Sequence, residues 1–159
     1  MTRSPWGPLL LGGLVVGTLD ILFAILYWRF AAGTPASRIF QSVAAGLLGA
    51  ASFAGGAASA WLGAALHYFI ATSIVAVYYV AARRIAALTA NPIRYGAAYG
   101  LVAYVVMNYV VIPLSAAGPS RFNARWVASS IVVHALLIGV PAAIFARQAI
   151  DTHRRSVLR

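Results

Sequence analysis

The sequence predicts an all-α membrane protein: one bundle of four transmembrane helices plus one short re-entrant or interfacial helix. Three observations carry this reading. The 159 residues are 62% hydrophobic and 9% charged, with a mean hydropathy of +0.86, whereas a soluble domain is about one-quarter charged. The apolar residues gather into runs near the ~20 residues needed to cross a bilayer. The arginines fall between those runs. All 12 basic side chains are Arg, the acids are Asp20 and Asp151 alone, and the net charge is +10. These arginines flank the apolar runs as topogenic charges do and form no patch. The expected partner is therefore the lipid bilayer and not nucleic acid. With no Cys, disulfides, thiolate metal sites and cysteine nucleophiles are excluded.

The first span is expected at about 9–28. Tyr27, Trp28 and Arg29 close it as an aromatic and cationic anchor. The start MTRSPWGP followed by an apolar run resembles a signal peptide, but the run is long and Asp20 interrupts it, so an uncleaved span is expected. Gly33 and Pro35 mark a turn. Residues 36–54 are short for a span, rich in Ala and Gly, and carry Arg38 and Gln41. They are expected to form the re-entrant or interfacial helix, ended by Gly55 and Gly56; the alternative is a fifth span. The next span is expected at 58–82, between Trp61 and the Tyr78, Tyr79, Arg83, Arg84 group. Asn91-Pro92 opens the third, 92–112, which is expected to stop at Pro113. A loop with Gly118 and Pro119 leads to the last span, 125–145, kinked at Pro141.

With four spans and the N-terminus inside, eight arginines (3, 83, 84, 94, 147, 154, 155 and 159) lie on the inner face and four (29, 38, 121 and 125) on the outer. Five spans leave Arg3, Arg121 and Arg125 outside, nine against three. Charge bias favours five and the weak hydrophobicity of 36–55 favours four. Both place the C-terminus in the cytoplasm.

Small residues recur at helical spacing: Gly13 and Gly17, Gly96 and Gly100, and Gly63 with Ala60 and Ala64. Such residues let helix backbones approach where lipid supplies no hydrophobic drive. They share faces with the chain's polar residues. Gly13, Gly17, Asp20 and Ala24 lie on one face of the first span; Gly63, His67 and Ala71 on the second; Gly96, Gly100, Tyr104 and Asn108 on the third; Ser130 and His134 on the last. Asp20 is the most informative of these, because a carboxylate at bilayer depth is costly and marks a functional site by default. At 1.5 Å per residue it lies roughly 17 Å from the inner edge. Asp20, His67, Asn108 and His134 all fall in the middle or outer half, so one buried cluster is expected to hold them.

Three readings of that cluster differ in class. Polar side chains can hydrogen-bond across helices only to fix packing, in a structural or accessory subunit. An Asp–His set can relay protons or bind a small solute. Two histidines on separate helices can ligate a haem iron axially. No GxSxG, P-loop, HExxH or GxGxxG is present, so no enzyme, catalytic residue, metal or cofactor is expected. The leading expectation is non-enzymatic proton or small-solute handling. In it Asp20 is the proton or cation acceptor, His67 and His134 are titrating partners, and Asn108 is a hydrogen-bonding partner. So small a bundle leaves a homo-oligomer open, with the GxxxG faces available for that contact.

The second half of the chain carries a resemblance. LHYFIATSIVAVYYVAARR, NYVVIPLSAAGPS and SSIVVHALLIGVPAAIFARQ resemble the C-terminal half of the YagU-type inner-membrane proteins of bacteria, over about residues 60–155. The shared features are a helix with a central His and a Tyr-rich end, an apolar helix ending in Pro-Leu before a Gly-Pro loop, and a last helix with a central His. His67 and His134 match the histidines of that pattern, and Asn108 stands where it has a His. The resemblance implies a bacterial inner-membrane location and no particular activity.

Overall fold

The protein is described from a computed structural model, covering residues 4–118 and 122–157, with the backbone alone for 155–157. Arg3, Pro119, Arg121 and Arg159, used in the sequence reading, lie outside the described residues. The fold is all-α among them. The four helices long and apolar enough to cross a membrane are α1 (Trp6–Ala32), α3 (Gly56–Arg84), α5 (Pro92–Leu114) and α6 (Ala124–Arg154). Two shorter helices connect them, α2 (Ala36–Leu48) and the single turn α4 (Ala87–Ala90). Apolar side chains point outward along the spans, as at Leu10, Leu14, Leu22, Phe69 and Val77, the distribution expected where lipid replaces water. Trp61 and Phe30, 76% and 87% exposed, sit near helix ends as interface anchors do.

Local chemistry explains the boundaries. α1 ends at Gly33, whose φ of 66° permits the left-handed cap and whose N–H bonds the Arg29 carbonyl. Asn91 caps α5 by accepting from the Arg94 N–H at 3.1 Å, with Pro92 as the first helical residue. Asn123 caps α6 by accepting from the Arg125 and Trp126 N–H groups. α6 continues well past its expected end at 145. Ala142, Ala146, Ala149 and Ile150 form a buried stripe at helical spacing, so the polar tail keeps one apolar face to pack.

At 13 residues, α2 is about 20 Å long, too short to span. It lies across one end of the bundle and a 3-10 segment, Gly49–Ala54, returns the chain to α3. Gly63 of α3 meets the α2 backbone at Phe40 and Ala44 so closely that a Cβ would overlap the Phe40 carbonyl. Buried Gln41 donates to the Gly56 carbonyl at 3.0 Å and to Ser59 Oγ at 3.3 Å. The Ala116 N–H, just beyond α5, bonds the Gly46 carbonyl. These contacts tie α2 to the ends of α3 and α5.

The opposite half of the bundle is closely packed. Leu9 and Val16 of α1, Val75 and Tyr78 of α3, and Ala142, Ala143 and Ala146 of α6 form its buried core. Gly13 and Gly17 press on Thr72 and Tyr68 of α3. Gly96 and Gly100 interlock with Gly139, and a Cβ on Gly100 would overlap the His134 carbonyl. These glycine faces are thus used for packing inside the chain, the first of the two uses that the sequence leaves open. Gly63 serves α2 and not another span.

The helix ends one residue past Pro113, at Leu114, but the proline does more than mark the stop. The turn before it widens into a π segment, Met107–Val111, in which the Ile112 N–H bonds the Met107 carbonyl five residues back. α6 does the same at His134–Gly139, just before Pro141. Each proline deprives the carbonyl four residues earlier of its N–H partner, at Tyr109 and Leu137. Both carbonyls lie within the widened turns.

The packing makes a direct prediction. Gly100→Ala should lower the thermal stability of purified protein by about 1–3 kcal/mol, the usual cost of overpacking. Gly7→Ala, where a Cβ meets nothing within 4 Å, should leave it unchanged or slightly raised. Paired melting curves in one detergent test this.

Candidate functional site in the open half of the bundle

Beyond the packed half the helices separate, and a cavity of about 640 Å³ lies between α1, α3, α5 and α6 with α2 across it. Each of the four candidate spans contributes one of the polar residues singled out in the sequence: Asp20 from α1, His67 from α3, Asn108 from α5 and His134 from α6. They share the cavity without bonding to one another. His67 Nε2 donates to the Gly17 carbonyl of α1 at 2.8 Å. His134 Nδ1 donates to the Ser130 carbonyl one turn earlier at 2.9 Å. Asn108 Nδ2 donates to the Tyr104 carbonyl at 2.9 Å. Asp20 makes no hydrogen bond or ion pair among the described residues, and His134 and His67 are the titratable groups nearest to it across the space. The expected cluster is therefore a ring of groups around a space and not a contact network. No group of three His, Cys, Asp or Glu side chains is placed to hold a metal among the described residues. A haem between the imidazoles would have to use His67 Nδ1 and His134 Nε2.

The local folding explains these positions. Gly17 brings α1 close enough to α3 for His67 to reach its carbonyl across the helix pair. Asn108 lies within the π segment of α5, and His134 begins that of α6. Single π turns inside α-helices recur at functional sites. His134 also stands edge-on to Tyr104, with ring centroids 5.2 Å apart. The Ser130 hydroxyl, buried among the lining residues, has no hydrogen-bond partner.

The sequence reading missed the aromatic rim. Trp28 and Trp126 line the cavity toward the α2 end. Trp126 stacks on Phe23 at 5.5 Å with planes 11° apart, and its ring lies 4.9 Å from Tyr27 and 5.4 Å from Trp28. A signal was present. Asp20, Ala24 and Trp28 continue one i+4 ladder on α1, and Trp126, Ser130, His134 and Ile138 make another on α6. Arg38 of α2 also lines the cavity. It donates to the Phe53 carbonyl at 3.3 Å and lies 5.1 Å from the Phe53 ring. Among the described residues, Asp20 is thus the only acid and Arg38 the only arginine on the walls.

Trp126→Ala removes three ring contacts and should lower thermal stability by about 0.5–1.5 kcal/mol for each. Trp61→Ala, at an exposed position without a described ring contact, should change it little. Melting curves of the two variants beside the wild type test the rim.

Comparison of the chain with protein-family models, with curated proteins and with solved structures finds no match. The site is therefore interpreted from its own chemistry.

Proposed function

We propose that the protein handles protons or a small solute through this cavity as a multi-pass protein of the bacterial inner membrane, the location that the YagU-type resemblance implies. One observation carries the reading: every candidate span supplies one polar side chain to the same space. A network serving only to lock the bundle gains from side chains that bond across helices. Of these four, only His67 bonds to another helix, and it does so to backbone. The carboxylate, whose insertion at bilayer centre costs about 2.5–3.5 kcal/mol, has no hydrogen-bonding partner among the described residues. A cavity of about 640 Å³ falls within the ~300–1,000 Å³ of small-molecule sites. In this reading Asp20 accepts the proton or cation, His67 and His134 exchange protons with it through the intervening space, and Asn108 orients what enters. The arginine excess supports a reading with both termini in the cytoplasm and hence the α2 end of the cavity on the outer side.

Reconstitution in proteoliposomes tests the proposal. Wild-type protein under an imposed pH gradient should carry protons at a rate that Asp20→Asn reduces at least tenfold. Equal rates in both, with Asp20→Asn melting lower, would assign the cavity residues to helix packing and make the protein a structural or accessory subunit. A Soret band in the same preparation would favour the haem alternative.

A further inference from the structure

The hydrogen-bonding capacity left in the cavity is one-sided. His67 Nε2 and His134 Nδ1 both face backbone carbonyls, at 2.8 and 2.9 Å. A carbonyl has no hydrogen to give, so in each pair the ring nitrogen is the donor. That bond sets the tautomer of the neutral imidazole. What each ring has left is an acceptor, Nδ1 of His67 and Nε2 of His134. Asn108 has one amide hydrogen engaged on Tyr104, and keeps Oδ1 with the second hydrogen. Asp20 adds two carboxylate oxygens with no hydrogen bond or ion pair among the described residues. Acceptors, the one carboxyl group among them, therefore outnumber the donors left among these described residues and Ser130, which are the second Asn108 hydrogen and the Ser130 hydroxyl. Arg38, the only arginine on the walls among the described residues, belongs to α2 at the end and is turned onto Phe53.

The remaining described walls are mostly apolar, interrupted by the hydroxyls of Thr34, Ser42 and Ser130, and carry an aromatic rim. Trp28 stands eight residues beyond Asp20 on the same face of α1, about 12 Å along the helix. Trp126 faces the same space from α6. An anionic solute would meet Asp20 with no free cation beside it among the described residues. A neutral apolar solute would leave the carboxylate desolvated and unpaired, which is costly. A protonated amine satisfies both constraints: its N–H groups find acceptors, its charge meets Asp20, and indole faces favour cations and flat apolar groups.

We propose that the cavity binds an amphiphilic organic ammonium, with its protonated primary amine on Asp20 and the free nitrogens of His67 and His134, and its apolar body extended toward Trp28 and Trp126. This rests on the reading of the cavity as a solute site and names the class of that solute.

Three probes with one ring system separate the classes: 2-naphthylmethylammonium, the neutral 2-naphthylmethanol and the anionic 2-naphthoate. Binding to the full chain in nanodiscs of uncharged lipid is measured by calorimetry, with empty nanodiscs subtracted. The ammonium should bind at least tenfold more tightly than the alcohol, and the carboxylate more weakly than either. Asp20→Asn should bring the ammonium to the affinity of the alcohol and leave the alcohol unchanged, which also reports an intact cavity. Equal binding of alcohol and ammonium, or tightest binding of the carboxylate, overturns the ammonium assignment while a solute site stands. If no probe binds but Asp20-dependent proton flux persists, the ammonium assignment falls and proton handling stands. If neither binding nor flux occurs, both fall. Should Asp20→Asn fail to fold, the ranking of the three probes on wild-type protein decides alone.

Discussion

The close approach of helix backbones at glycine is the constraint on which the rest of the structure depends. Gly13 and Gly17 seat α1 on α3, and Gly96, Gly100 and Gly139 interlock α5 with α6. Lipid supplies no hydrophobic drive for helices to associate, so backbone proximity and van der Waals contact must do it. The glycines concentrate that contact in one half of the bundle. Toward α2 the facing positions carry Trp28, Met107, Ile112 and Trp126, whose bulk holds the helices apart. The cavity follows from this asymmetry. It also takes its depth from it, since the tight α1–α3 contact brings His67 to the Gly17 carbonyl.

The same arrangement accounts for the polar residues. In hydrocarbon an unpaired backbone or side-chain polar group is expensive, so helices keep their own hydrogen bonds and polar side chains bond back to carbonyls. His134 and Asn108 do so one turn up their own helices. Both lie in turns widened ahead of a proline. The prolines thus do more than bend the spans. They place irregular backbone beside the cavity, where departures from regular helix are tolerated. Asp20 and the Ser130 hydroxyl are exceptions to satisfaction among the described cavity residues, and the chemistry assigned to the cavity turns on Asp20.

Much of this was legible in the sequence because its physics is local. Hydropathy and the flanking arginines and aromatics reveal the spans. Residues 36–54 read as short and weakly hydrophobic, with a fifth span left open by the charge bias, and the 13-residue α2 is too short to cross. The i+4 spacing put Asp20, His67, Asn108 and His134 on faces directed at neighbouring helices, and those faces do meet one space. What escaped depends on which partner a face meets. Gly63 has the same spacing signal as Gly100, yet it serves α2 while Gly100 serves α6. Pro113 reads as a stop, since a proline's missing N–H is visible in sequence but the relaxation of the turn before it is not. Trp28 was read as an interface anchor although it continues the Asp20 ladder. The continuation of α6 was hidden because its Ala stripe is weakly hydrophobic and interleaved with polar residues.

The central claim is that one half of the bundle is packed and the other encloses an accessible cavity around Asp20. The chain contains no cysteine, so single cysteines can be read without background. The most direct measurement is the rate at which a small, charged, water-soluble methanethiosulfonate labels Ala24→Cys, one turn from Asp20 on the cavity wall, against Ala143→Cys, buried in the packed half. The account predicts rapid labelling of the first and protection of the second until the protein is unfolded. Equal protection of both would mean that water does not reach the Asp20 cavity, and would contradict it.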